Sequence, residues 1–544
     1  MKSLRRIAGL LLALALLLVC VPVGAPEGQA ASTGEAIMGE LHVDCMVTEA
    51  DVIYLPWHTV FPEDYPVGDK FVDFNNDSLV TDADVIWLLW HTVFPEDYPL
   101  ENTRVFRVGY GKEDITPEES VPMGGYGRSD QRMATGILSC LWATCVAITD
   151  ADGNTLLLMS VDLCNSLEAS RAAPSISEAT GVPVENIVIS ATHTHSSPDF
   201  SYTHMPAVSR ALGKVHNGLK KAAITAMEDR KPAQMYGASV ETANMNFVRH
   251  YLMNDGTYCG DNFGSTASGY KAHASEADPT MQLIKFTREG DNDIILTNFQ
   301  THPHRTGGSQ KFDISADIVG EYRAAMEQDL GVEVIYFSGA GGNLNPTSRI
   351  SRENVAKDYK EHGKMLASYA KSAQYAPLNT GKVQASKMSF EAKVNHADDA
   401  YAAVCADLRA RWDRGELTTA QVIKLGAEAG IKLNSPYHAG AIRNRANMPE
   451  SSTFPIWAYS FGDVGFVAAP YEMFDTNGVF IKEKSPFEYT FISTIANKTN
   501  GYFPSDYGFT YGCYEVDTTS YVRGTAERLA DEYIKMLTAQ FANK

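Results

Sequence analysis

Paired cysteines and excess positive charge are both missing from this chain. Its eight cysteines in 544 residues show no CxxC or CxxxC spacing, which excludes a zinc knuckle and a thioredoxin-like motif. Lys and Arg number 46 against 66 Asp and Glu, a net charge of −20 that repels a phosphate backbone and excludes nucleic acid as a partner. Beyond the first thirty residues no apolar run approaches a membrane span. Low complexity is absent too: 44% hydrophobic and 21% charged residues, with 42 Gly and 24 Pro, describe an ordinary folded protein. At roughly 150 residues per domain, the length suits several domains or one large enzyme domain with a small module attached.

What is present begins with a targeting segment. Lys2, Arg5 and Arg6 precede an apolar run from Ile7 to about Val23, and Ala25, Ala30 and Ala31 follow. This is the layout of a secretory signal peptide, assigned to residues 1–31, and it predicts a secreted, extracellular or surface-attached protein. Leu18 and Val19 fit a lipoprotein signal at Cys20 poorly. Without Cys20 an odd seven cysteines remain, so at least one is unpaired or pairs between molecules, and most are expected to be buried apolar residues.

A duplication follows. TEADVIYLPWHTVFPEDYP at Thr48–Pro66 returns, nearly unchanged, as TDADVIWLLWHTVFPEDYP at Thr81–Pro99, 33 residues on. Before the second copy, DFNNDSLVTDAD sets Asp73, Asn75, Asp77, the Leu79 carbonyl, Thr81 and Asp84 at positions 1, 3, 5, 7, 9 and 12 of a loop. That spacing wraps oxygen ligands around Ca²⁺ and leads into an apolar helix over Val85–Val93. The region from about Ala36 to Leu100 resembles a dockerin, the small all-α calcium-loop-and-helix module, and the resemblance implies a cohesin-type docking partner. Ser78 stands where such loops place Gly, and the first loop (Glu40, His42, Asp44, Thr48, Asp51) lacks the Asp and Asn oxygens at positions 1 and 3, so a single Ca²⁺ site is expected. The aromatic residues of both copies (Tyr54, Trp57, Phe61, Trp87, Trp90, Phe94) exceed what two short helices bury and suggest a docking face.

From Arg104 to Lys544 the chain reads as one α/β enzyme domain with a mixed, layered sheet. Strands are predicted at 145–149, 155–161, 186–190, 293–299 and 332–337, and helices at 207–229 and 355–371. The polar helical stretch 398–429 reads as a cover without chemistry of its own. Two HxH pairs carry the metal argument: His193 and His195 follow the strand of NIVISATHTHSSP, and His302 and His304 follow that of ILTNFQTHPH. In extended backbone both members of an HxH point to one side, and imidazole is the commonest metal ligand.

Six blocks in order, RVGYGKEDITPEESVPMGGYGR, VISATHTHSSP, THPHRTGGSQKFDISAD, FSGAGGNLNP, APYEMF and NKTNGYFPSDYGFTYGCYEV, resemble the neutral/alkaline non-lysosomal ceramidase catalytic domain. The resemblance runs from about Arg104 to Val516. It implies a zinc-dependent amidohydrolase acting on an N-acyl lipid or similar acylated amine. By position it implies His193, His302, Glu472 and Tyr502 as Zn²⁺ ligands and His195, Tyr514 and Arg249 as catalytic contacts. Four ligands favour one metal, leaving His195 and His304 to bond substrate, water or a carboxylate such as Asp317. A two-metal arrangement would need Asp313 or Asp317 as a bridge.

Two departures bear on the substrate. Where ceramidases carry a serine in a GDVSP-like block, this chain has Asn345 in GNLNP, which excludes an acyl intermediate at that position. The chain also ends about thirty residues after Tyr514, where ceramidases continue into an immunoglobulin-like domain. Hydrolysis of an ester or acyl group on a carbohydrate, or ligand binding without catalysis, therefore stand as alternatives.

Overall fold

A computed structural model describes residues 82–93, 105–126, 129–261, 268–288, 290–307 and 311–544. The chain divides into two units, Met1–Arg104 and Val105–Lys544. In the first, the described part is the helix Asp82–Val93, with Val85, Leu88 and Leu89 buried and Ile86 exposed. Asp84 lies on this helix; Asp73, Asn75, Asp77, Leu79 and Thr81, like the signal segment 1–31, fall outside the described residues.

The second unit is built on a nine-stranded mixed sheet: β1 (Phe106–Asp114), β2 (Trp142–Thr149), β3 (Thr155–Val161), β4 (Ile187–Ala191), β5 (Lys231–Glu241), β6 (Thr280–Arg288), β7 (Ile294–Phe299), β8 (Glu333–Ser338) and β9 (Ala376–Leu378). The spatial order is β8-β7-β6-β5-β1-β2-β3-β4, with β9 also on β5. Only β7/β8 and β3/β4 pair in parallel. A second sheet of four strands, β10 (Val383–Lys393), β11 (Ser451–Phe461), β12 (Val464–Ala469) and β13 (Tyr489–Thr494), packs on the first. The five predicted strands and two predicted helices are present with ends shifted by up to four residues, whereas this second sheet was not foreseen.

Alternation along the strands explains the layering. Phe106, Val108 and Tyr110 of β1 face the second sheet together with Val146, Ile148, Leu156 and Leu158, and meet Tyr459, Phe461, Phe466 and Phe491 there. The opposite face receives helix α1 (Pro206–Glu228) at one end and helices α2 (Asp317–Leu330) and α3 (Tyr359–Ser372) at the other. Burial on both faces is why β3 and β4 read as unbroken apolar runs. The far side of the second sheet is covered by the terminal helix Thr525–Phe541, giving four layers, helix, sheet, sheet, helix. Gly109 and Gly111, two apart on β1, lie against α1 so closely that a Cβ on either would sit 2.1 Å from a helix carbonyl oxygen.

The polar stretch 398–429 folds as α4 (Ala402–Asp413) and α5 (Thr419–Glu428). With α6 (Pro436–Arg445) these helices form a cover having its own small core of Cys405, Leu408, Val422, Leu433 and Ile442. Among the described cysteines, Cys145, Cys405 and Cys513 are buried.

Candidate functional site

The two histidine pairs leave neighbouring ends of the main sheet. His193 lies two residues past β4 and His302 three past β7, and Ser338 at the end of β8 donates to the Thr192 carbonyl at 2.7 Å, holding those ends together. The expectation of extended backbone through HTH is corrected: His193 has φ +68°, a left-handed conformation costing about 1–3 kcal/mol, and the chain turns there. The turn is fixed by hydrogen bonds from the Thr192 and His193 amides to the Val161 and Leu163 carbonyls, both 2.9 Å. Glu472 arrives on a two-residue strand, Glu472–Met473, paired in parallel with Tyr502–Phe503 so that Glu472 stands beside Tyr502.

These segments converge on a point. Glu472 Oε2 lies 3.4 Å from His193 Nε2 and 3.3 Å from His302 Nε2. His193 Nδ1 is 2.6 Å from the Cys164 carbonyl oxygen and His302 Nδ1 is 2.8 Å from that of Leu344. A carbonyl only accepts, so both Nδ1 atoms carry hydrogen, and each ring in its neutral form presents a bare lone pair at Nε2. Two lone pairs and a carboxylate oxygen thus meet in a buried space, and Glu472 Oε2 has no hydrogen-bond donor. A cation satisfies all three, and carbonyl-anchored imidazoles are the usual support for metal-binding histidines. The residues fit Zn²⁺, with Tyr502 adjacent as an oxygen donor.

Charge in the cluster follows from this geometry. Burial disfavours ionised Glu472, but His193 and His302 outweigh it and hold the carboxyl well below the usual range. Burial lowers His193 while Glu472 and Cys164 raise it to a net value well above ordinary. Burial and the Arg249 cation push His302 down to about 3. Burial lifts the Tyr502 phenol well above its ordinary value, with Glu472 adding to the effect.

His195 borders the cluster. Its Nε2 is 3.4 Å from His193 Nε2, and its buried Nδ1 has no partner. Burial first, then the neighbouring imidazoles, hold it well below the ordinary histidine value, so it is neutral. Gly125 (φ +103°) makes room for it, since a Cβ there would lie 2.5 Å from the ring, and Tyr126 packs edge-on at 4.9 Å. Arg249 Nη1 reaches to 3.5 Å from His302 Nε2, and its guanidinium lies 5.5 Å from the Tyr502 ring centre. Tyr514 meets Tyr502 nearly perpendicularly at 5.7 Å and Tyr437 of the helical cover at 6.4 Å. The cover therefore extends to the site through α6.

His304 turns away: its Nε2 donates to Asn345 Oδ1 at 3.1 Å, and Asn345 Nδ2 faces Asp261 Oδ2 at 3.4 Å. The carboxylates considered as bridges are committed elsewhere. Asp317 (φ +52°) accepts from the Arg305 amide at 3.1 Å and from the Thr306 amide at 2.6 Å, and so locks the loop after His304. Asp313 accepts from Thr135 Oγ1 at 3.2 Å. Neither belongs to a cluster able to hold a metal among the described residues. Sequence reasoning missed Cys164, Leu344, His250 and Glu515; the first two act through backbone carbonyls, which leave no mark in side-chain identity.

Fold and site together define a four-layer α/β protein with a buried two-histidine, one-carboxylate cluster suited to a metal ion. Residues 106–374 match the family described as neutral/alkaline non-lysosomal ceramidase, N-terminal, and that part of the chain belongs to it. It is 26% identical over 196 residues to neutral ceramidase 2 of Arabidopsis thaliana (33% of this chain, 24% of that protein). To the neutral ceramidase of Pseudomonas aeruginosa it is 31% identical over 160 residues (27% of this chain, 24% of that protein). The alignments span about a quarter of the length of these relatives. A solved structure described as neutral ceramidase from Pseudomonas aeruginosa superposes with a TM-score of 0.60 at 19% identity, covering 80% of this chain and 74% of that one. Another, described as ceramidase complexed with C2, gives 0.59 at 19% identity over 81% and 76%.

Proposed function

We propose that this protein is a secreted zinc-dependent amidohydrolase that cleaves the amide of an N-acyl lipid of ceramide type or a similar acylated amine. The observation that carries the reading is the convergence of His193 Nε2, His302 Nε2 and the donorless Glu472 Oε2, with Arg249, Tyr502 and Tyr514 around it. His193, His302, Glu472 and Tyr502 would hold Zn²⁺, which would supply Lewis-acid polarisation of an amide carbonyl and lower the pKa of a bound water. Arg249 and Tyr514 donate hydrogen bonds to the carbonyl oxygen as charge develops on it. His195, neutral and with an unpartnered ring nitrogen, takes the proton of the attacking water and returns it to the leaving amine. Asn345 offers no hydroxyl and its amide is engaged by His304 and Asp261, so no acyl intermediate forms at that position, in keeping with water as the nucleophile.

The test is a panel of ceramide, N-acyl amino acids and acylated sugars assayed with and without chelator. Chelator-sensitive release of fatty acid from the amides is expected. Turnover confined to acylated sugars would replace the amide reading with a carbohydrate deacylase, and binding without turnover would make this a ligand-binding member of the family. The repeated module belongs to the same proposal: the spacing from Asp73 to Asp84 supports one Ca²⁺, and the duplicated aromatic segments support docking to a cohesin-type partner.

A further inference from the structure

The structure assigns to Glu515 a positioning role: it fixes Arg249 against the metal cluster from a helix that also begins with Tyr514. This rests on the functional reading above.

Glu515 is completely buried on the short helix Tyr514–Thr518. Its Oε1 accepts from Arg249 Nε at 2.6 Å and lies 2.5 Å from Nη2, while Oε2 accepts from His250 Nε2 at 2.9 Å. Arg249 Nη2 also donates to the Gly342 carbonyl at 2.8 Å. Two of the three guanidinium nitrogens are thereby committed on one side, and Nη1 is the one turned towards His302. A planar guanidinium held at two corners has one orientation left, and this one faces the space where a substrate carbonyl is gripped.

The same carboxylate sets the charge. Without Glu515, the buried Arg249 cation would lose its direct carboxylate partner, and the arginine would swing away from the cluster. Arg249 and His250 are consecutive, so a single carboxylate clamps both from outside the site. Tyr514, one residue before Glu515, is tied to Arg249 through this bond, which couples the two groups assigned to the carbonyl oxygen. Cys513, His250 and Glu515 could geometrically form a second metal site. That alternative is disfavoured because Arg249 already neutralises Glu515.

The experiment compares full-length wild type, Glu515→Gln, Glu515→Asp, Arg249→Met and the double variant Arg249→Met/Glu515→Gln. The readouts are kcat and KM on the best amide of the panel, metal content, and calorimetric binding of a fatty-acid carboxylate. Glu515→Gln should lose about tenfold or more in kcat, change KM less, keep wild-type metal content and bind the carboxylate more weakly. Glu515→Asp, which keeps the charge but shortens the reach, should fall between, and it serves as the probe should Glu515→Gln fail to fold. The double variant should be no worse than Arg249→Met. Losses that multiply, or unchanged kcat and carboxylate affinity in the Gln and Asp variants, would overturn the assignment, as would a wild type that binds no carboxylate. Glu515-dependent carboxylate binding without amide turnover would sink the amidohydrolase reading and leave the positioning role standing.

Discussion

At the scale of single residues, the division of labour between the paired histidines depends on which ring nitrogen is bare. His193 and His302 each spend Nδ1 on a backbone carbonyl and turn Nε2 towards Glu472, whereas His195 stands to one side. His193→Ala and His302→Ala are therefore expected to lose most of the bound metal, and His195→Ala to keep one metal per chain while losing most turnover, as checked by elemental analysis of purified protein. Loss of metal from the His195 variant would place it among the ligands. Asp475 makes a prediction of another kind. Burial raises its carboxyl to about 6, even though Asn343 donates to it at 2.6 Å. The folded state thus binds this proton more tightly than the unfolded chain. Its contribution to stability is present below about pH 4 and lost as pH rises through about 6, a change of about 3 kcal/mol. Asp475→Asn should flatten the stability profile over pH 4–7 in denaturant titrations, and an unchanged slope would refute the cause given.

At the scale of elements, the join between β1 and α1 sets how the helical layer lies on the main sheet. Gly109 and Gly111 share the face opposite Phe106, Val108 and Tyr110, so the helix backbone approaches where the strand has no side chains. Gly111→Ala places a methyl 2.1 Å from the Ala222 carbonyl oxygen. The strand or helix must move, at a cost of about 1–3 kcal/mol or more. A lowered urea midpoint with unchanged metal content is expected, because the site lies beyond the ends of β4 and β7, each three strands away from β1 in the sheet; an unchanged midpoint would show that the contact yields freely. The Glu472–Tyr502 pair works on the same scale: two residues of parallel ladder bring together groups thirty positions apart.

Across the whole molecule, the two units carry different charge chemistry. The proposed Ca²⁺ loop holds Asp73, Asp77 and Asp84, whose mutual repulsion a cation would offset, and it lies apart in sequence from the histidine site. Titration of the calcium-free full-length chain with Ca²⁺ is expected to show one binding event by calorimetry. Two equal sites, or none, would contradict the loss of oxygens from the first loop. Among the described residues no helix is long and apolar enough to cross a membrane.

The sequence by itself determined the α/β character and the strands ending at the histidine pairs. Apolar runs record burial, and a histidine after a buried strand keeps its meaning wherever it is read. The second sheet was illegible because β10 alternates exposed and buried residues without a strong apolar pattern and its partners lie about seventy residues away. Only the tertiary structure decided which histidine nitrogen is bare, that His193 is forced into a left-handed turn, that Asp317 locks a loop, and that Glu515 lies under Arg249. Each depends on a backbone carbonyl or a partner distant in sequence, and such contacts are fixed by packing, which local residue patterns do not encode.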